Sequence, residues 1–214
     1  MGVPRVEHAE EYIASMAEKM QPFLRRGDRV LICLQEGKAA VPEEAVRRCG
    51  AIPVSCGTDL RWKVLLKLAF LHKVRTIIAP PLVILGMAKL ARSTGTPLYV
   101  RNAVTLGGPC DDWMRRGIIS SLDCRIHNLE ADAPYPVTDH RLESLAVEIN
   151  RWTSVLDCRL DKGENGLEIE IVVFPGEKLP QLPSCARLVV RPWDAEHDVP
   201  FWIRADWRNP VFTC

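Results

Sequence analysis

The sequence predicts an α/β fold: an open, mostly parallel sheet with flanking helices, plus a smaller C-terminal α+β unit. Short apolar runs alternate with helical stripes over the first 130 residues, and those runs are apolar throughout, as in strands buried on both faces. Past a Pro-rich stretch (Ala131-Asp-Ala-Pro-Tyr-Pro136) the alternation gives way to strands joined by a tight turn. Strands separated by helices pack as a parallel sheet with right-handed crossovers.

Each element has its own signal. Residues 7–24 carry Tyr12, Ile13, Met16, Met20 and Phe23 on one helical face, with Glu and Lys opposite. Gly27-Asp28 stops that helix, and Arg29–Leu34 reads as a buried strand. A helix over 42–49 opens with Pro42, suited to a first turn, and closes at Gly50. Strand 51–55 leads to a turn whose Thr58 or Asp59 is placed to cap a helix over 60–72. That helix (Trp62, Val64, Leu65, Leu66, Leu68, Phe70, Leu71) is apolar almost all round, which predicts burial on most sides. Strand 75–79, helix 82–93, strand 101–106, helix 110–120 and strand 123–127 complete five strands separated by helices. Asp111 and Asp112 fall at the positive end of the fifth helix. Beyond, 139–151 reads as a helix, and 154–160, 167–174 and 186–190 as strands. The domains expected are therefore 1–133, the parallel α/β unit, and 134–214, the small α+β unit with a tail carrying Trp193, Trp202 and Trp207.

Composition bounds the function. A chain of 214 residues, 47% apolar, buries about 70% of its unfolded surface. That excludes a disordered chain and a disulfide mini-protein. A net charge of +1 provides no general field for nucleic acid or an anionic membrane. The apolar runs Val64–Leu71 and Thr76–Met87 are broken by Lys67, Pro80 and Pro81 and fall short of the roughly 18 residues of a membrane span. The first residues lack the basic-then-apolar layout of a secretion signal, so a soluble, cytoplasmic protein is expected. The eight cysteines form no C-x-x-C pair and read mainly as inert packing thiols. Cys110, after a glycine pair, is the reactive candidate, and Cys124, His127 and His140 are the set from which a metal site could be assembled.

In a parallel sheet, ligands bind outside the carboxyl ends of the strands. This rule nominates residues 35–38, 56–59, 79–81, 106–111 and 127–130. Gly57, Gly107 and Gly108 allow close backbone approach, and the helix N-termini that follow favour anions. The same glycines would equally serve as tight βα turns. There is no G-x-x-x-x-G-K-[ST], no G-x-G-x-x-G after the first strand and no G-x-S-x-G, which argues against a P-loop nucleotidase, a standard dinucleotide fold and an α/β-hydrolase.

The order of short motifs over about residues 25–130 resembles the adenylate-forming (acyl-CoA synthetase) superfamily, in its phenylacetate–CoA ligase branch. Arg26-Gly-Asp28 before a strand is similar to the family's G-D-x-V, and Gly50-Ala-Ile-Pro-Val-Ser-Cys-Gly-Thr58 to its G-A-x-x-I-P-S-G-x-G. Arg75-Thr-Ile-Ile-Ala-Pro-Pro-Leu-Val-Ile-Leu85 is similar to T-x-I-x-x-T-P-S-Y, and Val104-Thr-Leu-Gly-Gly-Pro109 to the G-G-E-P turn that borders adenine. The resemblance implies a crevice for an acyl group and an adenine nucleotide, ATP or AMP with magnesium. The ligand-binding residues it suggests are Gly57, Thr58, Pro80, Gly107, Gly108, Pro109, Cys110, Asp111, Asn128 and Glu130.

The departures bear on chemistry. The family's phosphate loop lies N-terminal to the region matched and has no counterpart here. Where Y-G-x-[ST]-E is expected the chain has Asn128-Leu-Glu-Ala-Asp-Ala133, and no catalytic lysine is placed. Adenylation needs a positioned triphosphate, a metal and a cation, and loss of one such stabilising group typically costs about 10² to 10³ in rate. The leading expectation is a truncated, non-catalytic relative that binds a small acyl or nucleotide ligand, or a protein partner, with no catalytic and no metal residues. A split ligase completed by another polypeptide is the second reading. A structural or homodimeric module using the Trp-rich tail is the third.

Overall fold

The computed structural model describes residues 6–34, 36–56, 60–106, 110, 112–129, 145, 148–163, 166–174, 187–194 and 197–198. The first unit runs α1 (Val6–Met20), β1 (Arg29–Cys33), a 3-10 turn (Glu36–Lys38), α2 (Ala40–Arg48), β2 (Ile52–Cys56), α3 (Trp62–Leu71), β3 (Thr76–Ala79), α4 (Pro81–Thr94), β4 (Asn102–Thr105), α5 (Asp112–Leu122) and β5 (Arg125–Asn128). The five strands form one all-parallel sheet in the order β2-β1-β3-β4-β5. The second unit is a three-stranded mixed sheet of β6 (Val155–Gly163), β7 (Gly166–Val173) and β8 (Arg187–Pro192), in which β6 and β7 run antiparallel and β7 and β8 parallel. The α/β class expected from the alternation is the one observed.

Side-chain parity explains the layering. Alternate residues of a strand face opposite sides. Val30, Ile32, Ile78 and Val104 meet Met16, Met20, Ala45 and Val46 of α1 and α2 on one side. Leu31, Cys33, Ile77, Ala79 and Ala103 meet α3, α4 and α5 on the other. That second core does not end at the helices: it continues without a break into Val155, Leu156, Cys158 and the run Ile171–Phe174 of the small sheet. Helix α4 thus lies between two sheets, and every residue from Pro81 to Ala91 is buried except Lys89.

Several local expectations need correction. Helix α2 begins at Ala40, which puts Pro42 inside the first turn instead of at its start. Proline is tolerated there because the first four N–H groups have no partner within the helix. Helix α3 begins at Trp62 with Arg61 as its N-cap and no side-chain cap, so neither Thr58 nor Asp59 holds the capping position. The Trp62 N–H donates instead to the carbonyl of Asp198, 2.9 Å away. Nor is α3 buried on most sides: Phe70 and Leu71 are exposed, because the small sheet covers α4 and leaves the far flank of α3 open. Trp193 packs against the main core, while Trp202 and Trp207 lie outside the described residues. Of the expected helix over 139–151, the described residues Leu145 and 148–150 are helical.

Candidate functional site

The strand order locates the crevice more narrowly than the sequence does. From β1 the chain crosses through α2 to β2 on one side, then returns through α3 to β3 on the other side of β1. Helices leave toward opposite faces there, so the carboxyl ends of β1 and β3 diverge at the switch point where ligands of such sheets bind. Leu34 and the turn Glu36–Lys38 follow β1, and Pro80 and Pro81 follow β3. Pro80, half-buried, is therefore the expected site residue that stands directly at this point. Cys110 is half-buried and packs against the core beside α5. Asn128 ends the edge strand β5, two strands from β3, which at ordinary strand spacing is about 10 Å. Gly57, Thr58, Gly107, Gly108, Pro109, Asp111 and Glu130 lie outside the described residues.

Two helix ends on the carboxyl edge, that of α4 after β3 and that of α3 after β2, supply few donors for an anion. In α4 Pro81 has no N–H, and the N–H groups of Val83 and Ile84 both donate to the Pro80 carbonyl at 3.0 and 3.2 Å. In α3 the Val64 and Leu65 N–H groups turn back to the Arg61 carbonyl, and that of Trp62 is taken by Asp198. A phosphate-binding helix N-terminus needs those groups pointing outward. The rim is apolar instead, with Leu34 and Leu106 buried and Leu129 half-buried against the same core as Val104.

Asp198 is fixed by its own contacts. Its Oδ2 accepts the Asp194 N–H at 2.6 Å and its Oδ1 pairs with Arg191 at 2.6 Å. Arg191 also holds Glu170 at 2.7 Å. The bonds to Asp198 and Glu170 carry the guanidinium further above its already high range, against a smaller opposing effect of burial. A chain of contacts therefore runs from β7 through β8 to the first residue of α3, and it holds Asp198 against the carboxyl-edge end of that helix.

Two of the buried thiols, Cys33 and Cys124, are held protonated. Cys33 and Cys56 are register partners on β1 and β2, both buried. Their hydrogen bond, and then burial, hold the Cys33 thiol well above its usual range. Burial pushes Cys124 up to about 11. Such groups are not thiolates at neutral pH. Of the metal set envisaged from Cys124, His127 and His140, His140 lies outside the described residues, and the other two part: Cys124 packs in the core shared with α5, while His127 faces Phe23 on the other side of the sheet. Among the described residues no group of three His, Cys, Asp or Glu is placed to hold a metal ion, and no helix is long and apolar enough to cross a membrane.

Two polar arrangements carried no sequence signal that was used. The Lys89 ammonium, from the middle of α4, donates to the carbonyls of Asn150, Trp152 and Val155 at 2.7, 3.0 and 2.8 Å. Burial pushes it down to about 8, with Asp157 opposing the shift. Three acceptors need three N–H donors, which only the protonated amine has. His127, the third residue of β5, stacks on Phe23 with ring centroids 3.8 Å apart and an interplanar angle of 16°. Its Nε2–H donates to Asn102 Oδ1 at 3.1 Å, and Asn102 Nδ2 donates to the Phe23 carbonyl at 3.3 Å. Lys89 is the lone charge in the apolar stretch Pro81–Ala91, and that isolation is the signal that could have found it.

No family model matches the sequence, and comparison with curated proteins finds no relative. Comparison with solved structures does find the fold. A 2-hydroxyisobutyryl-CoA ligase in complex with 2-HIB-AMP and CoA, in the thioesterification state, superposes with a TM-score of 0.53 at 14% identity, over 59% of this chain and 29% of that one. The same ligase in an open conformation, again with 2-HIB-AMP and CoA, gives 0.52 at 13% identity, over 57% and 31%. Over the matched part, 57% to 59% of this chain, the fold is that of acyl-CoA ligases, and the match spans about a third of those chains.

Proposed function

We propose that this chain is a non-catalytic protein of the adenylate-forming-ligase type, taking a small acyl or adenine-nucleotide ligand at the carboxyl ends of β1 and β3. The observation that carries the reading is the state of the α4 end after β3 and of the neighbouring α3 end after β2. Pro81 offers no N–H and the Asp198 carbonyl occupies the Trp62 donor, while the side chains flanking the edge, Leu34, Leu106 and Leu129, are apolar and packed against the core. The described residues thus fit the apolar part of an acyl-adenylate better than its phosphates. ATP with magnesium would supply activation of a carboxylate if bound, and among the described residues no three His, Cys, Asp or Glu side chains come together to hold a metal. The phenylacetate–CoA ligase branch is the narrower form of the proposal, resting on the motifs from Gly50 to Thr58 and Val104 to Pro109.

The test is thermal stability with AMP, phenylacetate, a non-hydrolysable phenylacetyl-adenylate mimic and ATP with magnesium. A ligand at 100 times its Kd adds about 2.7 kcal/mol, a shift of a few degrees for this size. The mimic should stabilise the protein most, and Gly108→Val should abolish its effect. No shift with any of them removes the ligand reading. A larger shift with ATP and magnesium, together with pyrophosphate exchange, would make the chain an enzyme and overturn the non-catalytic assignment.

A further inference from the structure

The amino edge of the sheet, opposite the crevice, carries a row of arginines. Arg29 opens β1, Arg75 precedes β3, Arg101 precedes β4 and Arg125 opens β5, on four adjacent strands. Their backbones are tied in sequence: Arg75 N–H donates to the Arg29 carbonyl at 3.0 Å, Arg101 to Arg75 at 2.7 Å and Arg125 to Arg101 at 2.9 Å.

The side chains then divide into two groups. Arg29 donates to the His72 carbonyl at 3.1 Å, and Arg75 donates to the Tyr99 carbonyl at 3.4 Å and lies over the Tyr99 ring. Arg101 and Arg125 line an open groove of about 380 Å³, joined by Arg25 from the loop after α1 and walled by Phe23. The groove also holds Asp28 and Asp123, yet among the described residues no carboxylate pairs with any of the three guanidiniums. The Asp28 carboxylate accepts the backbone N–H of Arg25 at 3.1 Å instead.

We propose that this groove binds a small phosphorylated anion, with Arg25, Arg101 and Arg125 on the phosphoryl oxygens and Phe23 against the remainder of the ligand. Guanidinium forks match the spacing of phosphate oxygens and are weakly hydrated, so several of them facing one hollow form an oxyanion receptor. A phosphoryl group offers three or four oxygens to three forks, where a single carboxylate offers two. The two acidic residues keep the groove from being a general polyanion surface, consistent with a chain of net charge +1. The site is distinct from the carboxyl-edge crevice, and its proposal stands without that reading.

The test is isothermal titration of the full chain at low ionic strength with inorganic phosphate, AMP and citrate. Inorganic phosphate should bind saturably at one site, and Arg101→Gln/Arg125→Gln should weaken it at least tenfold. Both residues are exposed, so that variant should keep the wild-type circular dichroism and melting temperature, which separates lost binding from lost fold. Arg101→Lys/Arg125→Lys, which keeps the charges and removes the forks, should fall between. Tighter binding of AMP than of phosphate, lost in the glutamine variant, identifies a phosphate ester as the ligand. Equal affinity of the two identifies the free ion. AMP binding that survives the glutamine substitutions belongs to the carboxyl-edge crevice, and the groove is then decided by inorganic phosphate alone. No saturable phosphate binding, unchanged binding in the variant, or citrate binding as well as phosphate overturns the proposal.

Discussion

The indole of Trp62 occupies the space that a β-carbon on Gly86 would fill. An added Cβ there would overlap the Trp62 ring, lying 2.9 Å from Cζ3 and 3.0 Å from Cζ2. Alanine is normally the better helix residue by about 0.5–1 kcal/mol. Here the sign reverses, because overpacking a filled core costs about 1–3 kcal/mol. Gly86→Ala should lower stability by about 2 kcal/mol in urea denaturation. Its effect should shrink in a Trp62→Leu background, and additive effects of the two substitutions would refute the contact.

Lys89→Met should destabilise the chain by about 2–4 kcal/mol at pH 7, because each carbonyl left without a donor costs about 1–3 kcal/mol and some regain water. The pH dependence has a definite sign. The amine titrates near 10.5 when unfolded and near 8 when folded, so between these values the unfolded chain holds more protons. Stability from this group therefore rises with pH across about 8 to 10.5, by about 3 kcal/mol in all. The gap between wild type and Lys89→Met should widen over that window. Taking the difference cancels the buried thiols, which act the opposite way. A constant gap would show that the ammonium is not desolvated.

His127 should make the protein acid-sensitive. Burial, and then the charge of Arg125, lower its folded pKa below the ordinary 6.5. Below 6.5 the unfolded chain takes up the proton first, so stability falls as pH drops toward the lower folded value. His127→Gln should flatten the melting temperature between pH 7 and 5.5 relative to wild type. An unchanged slope would place the acid sensitivity elsewhere.

Arg191→Leu should leave the buried Asp198 carboxylate without its cation. Unpairing a fully buried ion pair costs roughly 3–5 kcal/mol, and the partial exposure of Arg191 reduces that to about 2 kcal/mol. The local effect is the more specific one: the Trp62 amide, held by the Asp198 carbonyl, should exchange with deuterium faster than its neighbours in α3. Uniform acceleration along α3 would indicate general destabilisation instead.

Strands β1 and β3 were legible because each is built on a short, uninterrupted apolar run. Arg29–Leu34 was expected where Arg29–Cys33 is found, and Pro81 opens α4 as an N1 proline should. The order of the strands was not legible. Right-handed crossovers fix how each connection turns, while the side of β1 on which β3 lands is decided by packing among distant helices. The four strand-opening arginines look in sequence like ordinary surface residues, and only the order β1-β3-β4-β5 makes them a row. The cap of α3 is hidden from the sequence for a related reason. The acceptor, Asp198, stands 136 positions from Trp62, and no local pattern points across that gap. At the crevice the sequence pointed to the carboxyl edge, and Pro80 stands there.

The position of α4 between two sheets has a consequence for how the chain comes off the ribosome. When the five parallel strands have been synthesised, the outer flank of α4 still waits for Val155, Leu156 and Ile171–Phe174, which are made dozens of residues later. During that interval an oily helical surface is open to water, with the Lys89 ammonium in its middle. A single early charge on such a surface would keep the nascent half soluble until the carbonyls of residues 150–155 arrive to receive it.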